Sequence, residues 1–290
     1  MYEAPDNETI YLIEALKERG IKSSRESWDD PQVDWSKPDL CIHRNSPYPL
    51  EPKKFLEWNK KLETISSVWN SYKVTEWNHN KRYLLDLHEA GIPIPPTILI
   101  EQDAKEPLSF YLEEKNWNEI ILKPTITAGS IGLMRVNAES IKADEHFQMI
   151  NKKGITQDIP DAGTYTIPPC DTLVQQYLPE IVTAGEVSLI YFGGEYSHSV
   201  IKRVKSGDFR AHPLWGAKVE PHKASRIERT VADSSLELAG DFVHYARVDL
   251  LNKESGPVII EVELIEPWLF FDYFPDTVNT YADHIASFFI

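Results

Sequence analysis

A mixed α/β fold, shading into α+β, is expected from three observations. Helical and strand-like periods alternate through the first 170 residues. From Thr172 onward the texture turns β-rich, with strand-like runs at "TLVQQYL", "GEVSLIYFGGEYSHSVIKRV", "VHYARVDLL" and "PVIIEVELI". Both ends carry amphipathic helical stretches, so the strands are not arranged as a single βαβ series.

The elements follow in order. "DNETIYLIEALKERG" predicts a helix, with Asp6 or Asn7 as cap and Gly20 as stop. "KPDLCIHR" predicts a short buried strand ending at Arg44, and a second helix is expected from about Pro52 to Ile65, with Phe55, Leu56, Trp58, Leu62 and Ile65 inward. "WNHNKRYLLDLHEAGIPIPPTILI" predicts a helix from about Asn80 to Ala90, a stop at Gly91, a Pro-rich turn and a strand at Thr97–Ile100. Strands are expected at Ile120–Lys123 and Gly132–Val136. Residues 137–170 are weakly patterned, and the Pro/Gly-rich tract 154–169 predicts a surface loop. Gly193-Gly194 predicts a hairpin turn, and "TYADHIASFFI" a closing helix.

With 45 acidic against 30 basic residues, the 290-residue chain carries a net charge of -15. That disfavours nucleic acid or an anionic membrane as the main partner, since both need clustered Lys and Arg. Two cysteines, Cys41 and Cys170, make neither a disulfide framework nor a metal-ligand spacing. With no apolar run long enough for a membrane span and no secretory-type start, a cytoplasmic protein with reduced thiols is expected.

The strongest chemical signal is in the last two strands. Arg247 and Asp249 are two apart and share a strand face, as do Glu261 and Glu263. A hairpin turn near Ser255 sets Asp249 across from Glu261 and Arg247 across from Glu263. Like charges facing each other destabilise a strand pair, so three carboxylates on one face need a cation. Arg247 offsets one, and oxygen-only ligands for the rest favour Mg²⁺ or Mn²⁺ with phosphates as co-ligands. The alternative, a wet acidic face, sits poorly with the apolar neighbours and with Trp268, Phe270 and Phe271 just beyond.

Lys123 ends a strand and is followed by the small-residue loop "PTITAGSIGL". This is not a P-loop, where the lysine follows the glycines and opens a helix. Thr125, Thr127 and Ser130, with the loop's backbone N–H groups, could cradle phosphate oxygens. Lys81, expected in a helix's first turn, is either solvated or faces an anion. In "LVQQYLPEI" the strand meets Pro179, leaving backbone groups near Gln176–Leu178 for an adenine edge and Glu180 for ribose; a plain strand end is the alternative. "SHSVIKRVKSGDFR" brings Lys202, Arg203, Lys205 and Arg210 together, either as a basic island or as solvated strand-end charge.

Taken in order, Lys81, "ILKP", the small-residue loop, "QQYLPE", the basic strand, "RVD" and "EVE" resemble the ATP-grasp ligases from about residue 75 to the end. The subgroup resembled contains prokaryotic glutathione synthetase and ribosomal-protein glutamate ligase. "SWDDPQVDW", "WNHNKRYLLDL", "GEYSHSVIKR", "GDFR" and "YARVDLL" are similar to its cyclo-ligase branch from cycloserine biosynthesis. The resemblance implies an ATP-grasp fold: a pre-ATP-grasp α/β domain over 1–75, a central lid subdomain over 76–170 and a C-terminal antiparallel-sheet subdomain over 171–290. It implies that ATP is held by Lys81, Lys123, Thr127, Gly129, Ser130, Gln176, Tyr177, Leu178, Glu180, Glu186 and Lys202. Asp249, Glu261 and Glu263 would hold two Mg²⁺, with Mn²⁺ as a substitute. Arg247, Arg210 and Arg203 would act on phosphate and the acyl centre.

The activity implied is an ATP-dependent carboxylate–amine ligase acting through an acyl phosphate, on an amino acid or small peptide-like substrate. The competing expectations are a nucleotide-binding sensor or scaffold without turnover, and an ATP-grasp phosphotransferase. His198 and His212 are candidate bases, and a homo-oligomer is left open. Two departures stand out. The family often has Glu-x-Asn where this chain has Glu261-Val262-Glu263, and an aromatic-acidic run in the cyclo-ligase branch is replaced by "HRNSPYPL". The usual first strand of the N-terminal domain is also expected to be missing.

Overall fold

A computed structural model describes residues 7–159 and 163–289. Asp6, one of the two expected caps, lies outside the described residues, as does part of the 154–169 tract.

In chain order the first elements are α1 (Asn7–Glu18), β1 (Leu40–Ile42), α2 (Pro52–Glu63), β2 (Ser67–Trp69), α3 (Tyr72–Asn78) and α4 (Tyr83–Glu89). The middle of the chain gives β3 (Thr97–Ile100), α5 (Leu108–Leu112), β4 (Glu119–Pro124), β5 (Met134–Asn137), α6 (Ile141–Gln148), β6 (Ile155–Ile159), β7 (Gly163–Ile167) and β8 (Thr172–Gln176). The remainder is α7 (Glu180–Thr183), β9 (Glu186–Phe192), β10 (Glu195–Arg203), β11 (Lys218–His222), α8 (Arg226–Leu236), β12 (Tyr245–Lys253), β13 (Gly256–Glu263) and α9 (Thr277–Ala286).

Two antiparallel sheets dominate, a four-stranded one ordered β3-β8-β4-β5 and a five-stranded one ordered β11-β10-β9-β12-β13. A parallel pair, β1-β2, serves the N-terminal segment. β8 lies beyond residue 170 yet pairs with β3 and β4, because its run of buried Thr172, Leu173 and Val174 completes that sheet's core.

Strand alternation divides the five-stranded sheet into two faces. Val187, Leu189, Tyr191, Ala246, Val248 and Leu250 point toward α3, α4 and α8. The other face carries Ile190, Phe192, Val200 and Tyr245 at one end, covered by α1 and α9. At its other end the same parity brings up Glu186, Ser188, Lys202, Arg247 and Asp249. β9 is buried throughout, so these polar groups are enclosed and must find partners. Gly193 and Gly194 turn β9 into β10 with φ of 58° and 79°, the positive pair that a tight hairpin needs.

Several expectations need correction. The expected helix over Asn80–Ala90 starts only at Tyr83, and α3 precedes it, capped by Ser71 Oγ accepting from Val74 N. Lys81 therefore lies in the turn between two helices, where Asn80 Oδ1 accepts from Arg82 N at 3.0 Å, and not in a helical first turn. The strand expected from Gly132 begins at Met134. Residues 137–170 are far from unstructured: α6 is followed by a π-helical turn, and the expected loop is the β6-β7 hairpin. Its Ile155, Ile159, Tyr165 and Ile167 fill the core beneath the four-stranded sheet, so tertiary packing overrides the Pro/Gly content. Helix α8 went unread although Ser225 and Glu228 form a capping box, the S-x-x-E signature.

Candidate functional site

Between the two sheets lies an open cleft with about 950 Å³ of free space, counting the solvent at its mouth. β4 and its following loop bring Lys123, Thr127, Gly129 and Ser130 to one side, and the end of β8 with the residues just after it delivers Gln176, Tyr177 and Leu178. The facing sheet supplies Glu186, Lys202, Arg247, Asp249, Glu261 and Glu263, and the 204–217 loop adds Arg210. Three expected residues, Thr125, Arg203 and Glu180, do not line it, and Thr125 is fully buried. Arg203 points the other way because strand parity turns Lys202 in and Arg203 out, and it pairs with Glu220 on the surface. Glu180 starts α7 beside the cleft, with its Oε2 enclosed and without a hydrogen-bond partner.

The hairpin register is the one the sequence implies, Arg247 opposite Glu263 and Asp249 opposite Glu261. Just past Asp249 the register shifts, leaving Ile260 as an extra residue. That bulge turns the Ile260 carbonyl toward Lys123, whose Nζ donates to it at 3.4 Å.

β13 is an edge strand, and side chains from α3, α4 and the β2-α3 connection satisfy the outer backbone of β13 and Leu264. Asn78 Nδ2 donates to Val262 O and its Oδ1 accepts from Leu264 N, both at 2.8 Å. The Tyr83 hydroxyl accepts from Val262 N at 2.9 Å, and Asn70 Nδ2 donates to Leu264 O at 2.7 Å. Glu261 and Glu263 thus project from a pinned backbone.

Five cations face four carboxylates across this space. Lys81 Nζ donates to Thr127 O at 2.6 Å and pairs with Glu261 at 2.9 Å. Lys202 pairs with Glu186 and lies 3.4 Å from Asp249. Arg247 grips Asp249 with bonds of 3.0–3.2 Å and also bonds Glu263, while Ser188 Oγ donates to Asp249 at 2.5 Å. Burial disfavours charge on Asp249, but Arg247 and Lys202 overcome it and hold its carboxyl below the usual range. For Glu263 burial wins and raises it to about 7, against the pull of Arg247. Glu186 is likewise pushed to about 7 by burial. Burial, with repulsion from Lys81, brings Lys123 down to about 8.

Asp249, Glu261 and Glu263 each offer a carboxylate oxygen within 4.8 Å of the others. Asp249 is 3% exposed in its side chain, but Glu261 and Glu263 are 28% and 29% exposed, toward the cleft. An all-oxygen set of this charge fits Mg²⁺ and does not suit zinc.

Of the two histidines, His198 lies away from the cleft, its Nε2 hydrogen-bonded to Leu269 O at 2.7 Å. His212 lines it, but enclosure and the nearby Lys202 and Arg247 press its pKa to about 3, and its Nδ1 accepts from Leu214 N. Sequence reasoning missed the apolar walls, among them Pro95, Ile121, Ile181, Leu251 and Ile260. Leu251 and Ser188 share parity with Asp249 and Glu186, so that signal was available; Pro95 and Ile181 carry none.

Comparison with known proteins accords with this geometry. Residues 80–265, more than half of the chain, match the RimK-like ATP-grasp domain, and residues 2–70 match the N-terminal domain of D-cycloserine synthetase DcsG. The chain is 25% identical to the cycloserine biosynthesis protein DcsG of Streptomyces lavendulae, over 95% of this chain and 92% of that protein. Its fold superposes on the crystal structure of D-cycloserine synthetase DcsG with a TM-score of 0.82 at 24% identity, covering 97% and 94% of the two chains. The D-alanine–D-alanine ligase of Bacillus anthracis complexed with ATP follows, with a TM-score of 0.69 at 13% identity over 98% and 93%.

Proposed function

The chain belongs to the RimK-like ATP-grasp family and is a ligase of that kind, and from that premise we propose that it joins a small carboxylate to a nitrogen nucleophile through an acyl phosphate. The substrate carboxylate attacks the γ-phosphorus of ATP, the bond to the β-γ bridging oxygen breaks, and ADP leaves. The nitrogen lone pair then attacks the acyl carbon, phosphate departs with its electron pair, and the nitrogen loses a proton. Catalysis of this kind is mainly positioning and charge compensation.

In this reading Lys81 and Lys123 receive the phosphates from the two sides of the 125–133 loop. Gly129 and Ser130 line the cleft and carry successive positive φ values of 60° and 62°. Gln176, Tyr177 and Leu178 meet the base, with Ile121, Leu251 and Ile260 as its apolar bed. Glu180, with its enclosed and unpaired Oε2, takes a ribose hydroxyl. Asp249, Glu261 and Glu263 would hold two Mg²⁺, which neutralise phosphate charge. Arg247 and Arg210 face the acyl centre, and Arg203, paired with Glu220 outside the cleft, has no contact role in this reading. The lysines must exchange carboxylates for phosphates as nucleotide and metal enter, and Lys81 with Glu261 is the pair that opens first. Its Glu261 partner is the more exposed.

The observation that carries the proposal is the set of three oxygen ligands gathered opposite two buried lysines. A domain division near residue 75 and a cytoplasmic setting are part of the same reading, while the division expected near residue 170 moves past β8, which pairs with β3 and β4. Among the described residues no helix is long and apolar enough to cross a membrane. The test is ADP release with Mg²⁺ over a panel of amino acids. Turnover with at least one is expected, and tight ATP binding with no turnover on any would return the chain to the sensor reading. Lys123→Ala should weaken ATP binding at least about tenfold, the scale of a charge-assisted hydrogen bond, with far-ultraviolet circular dichroism unchanged. Glu261→Gln should abolish Mg²⁺-dependent turnover; survival of activity would remove β13 from the metal site.

A further inference from the structure

The 204–217 loop belongs to the five-stranded half, running from the end of β10 to the start of β11. Yet its tip packs on the other half. Leu214 and Trp215 lie against the core beneath the four-stranded sheet. The Trp215 indole N–H donates to Gly129 O at 3.0 Å, in the middle of the loop that follows Lys123. The other face of the tip is occupied by Arg210, whose guanidinium stacks on the Trp215 ring at 3.7 Å from the centroid. Asp208 completes the arrangement with a two-point grip on Arg210, at 2.9 and 2.6 Å, while its Oδ1 also accepts from the Phe209 and Arg210 backbone N–H groups. His212 caps the turn by accepting from Leu214 N, and Gly216 ends it with φ of 83°. Arg210 lines the cleft; Trp215 and Asp208 do not.

We propose that Trp215 is a positioning residue that ties the 125–133 loop to the 204–217 loop, so that closure over nucleotide and delivery of Arg210 to the reacting end of the cleft occur as one event. The physical basis is a single ring with two commitments. Its edge holds the Gly129 carbonyl, in the loop assigned to the phosphates. Its face holds a cation, which Asp208 keeps from turning to solvent. A shift of Gly129 therefore moves the platform on which Arg210 rests. The consequence is ordering: Arg210 reaches its place only when the first loop is seated, so an acyl phosphate forms in a site already closed to water.

The inference rests on the ligase reading, and its test separates the two. Hydrogen exchange read by mass spectrometry is measured on the full chain with and without ATP and Mg²⁺, alongside calorimetric ATP binding; no acyl substrate is needed. In the wild-type chain nucleotide should slow exchange in both 125–133 and 204–217. Trp215→Phe keeps a ring under Arg210 and removes only the N–H. In that variant 125–133 should still be slowed while 204–217 no longer responds. ATP affinity should fall roughly two- to tenfold, the equivalent of one neutral hydrogen bond. Trp215→Met also removes the platform and should lower affinity further. Protection confined to 125–133 in the wild-type chain, or full transmission to 204–217 in Trp215→Phe, overturns the tie while leaving the ligase intact. Absence of ATP binding in the wild-type chain removes the ligase reading itself, and the tie with it.

Discussion

His43 shows how strongly a single buried group can bind stability to pH. It is 3% exposed, packed edge-on against Phe55 and Trp58, with Nε2 donating to Asn59 Oδ1 at 3.1 Å. Burial lowers its pKa from 6.5 to about 4. The folded chain then binds fewer protons than the unfolded one between those values, so stability is fully present above pH 6.5 and is lost as pH falls toward 4. The loss from His43 approaches roughly 3 kcal/mol. His198, lowered to about 4 by burial, acts in the same direction. Thermal midpoints should therefore drop between pH 7 and pH 4.5, and His43→Gln should flatten that slope; an unchanged slope would mean the ring is not neutral by burial. At this scale the sequence was informative where strand parity applies: Arg247, Asp249, Glu261 and Glu263 were legible. It misjudged Arg203 because a basic run does not say which of two adjacent residues faces inward until the partner strands are known.

β13 illustrates what an element needs beyond its own sequence. Its alternation announces a strand, but not that it is an edge strand whose outer backbone is met by side chains. Asn78→Ala removes two buried hydrogen bonds from Val262 and Leu264 together. The cost should be about 2–4 kcal/mol, since each orphaned backbone group loses its partner, read as a lower denaturant midpoint. Affinity for Mg²⁺ should fall with it, because the same backbone carries Glu261 and Glu263. A variant with wild-type stability would show that solvent replaces the amide. Three of the elements missed from sequence share a cause. β2, α5 and α7 are three to five residues long and have too few periods to signal. The β6-β7 hairpin packs Ile155, Ile159, Tyr165 and Ile167 into the core, a placement that depends on distant partners and not on its own local pattern.

Over the whole molecule, a buried ion pair in the N-terminal segment ties that segment to the backbone of residues 267–271. Glu8 in α1 pairs with Arg44 at 2.7 Å and accepts from the backbone N–H groups of Leu269 and Phe271, while Arg44 donates to Pro267 O. Both side chains are nearly enclosed, at 7% and 11% exposed. Glu8→Ala should cost about 3–5 kcal/mol, because a buried arginine loses its charge partner. The expected readout is a lower thermal midpoint together with faster proteolysis of the 265–275 segment; no change in either would make the pair dispensable.

The sequence alone determined the chemistry available: an acidic chain with no charge surplus for polyanions, a lysine ahead of a small-residue loop, and a carboxylate-bearing hairpin in a readable register. These follow from local periods of two and from neighbour chemistry, which need no knowledge of distant contacts. Only the tertiary structure decided which charges meet. Lys81 reaches Glu261 across 180 positions of sequence, the Ile260 carbonyl turns toward Lys123 at a bulge, and Trp215 crosses from one sheet's loop to the other's. Such meetings depend on how two sheets face each other across a cleft, and a linear pattern carries no term for that distance.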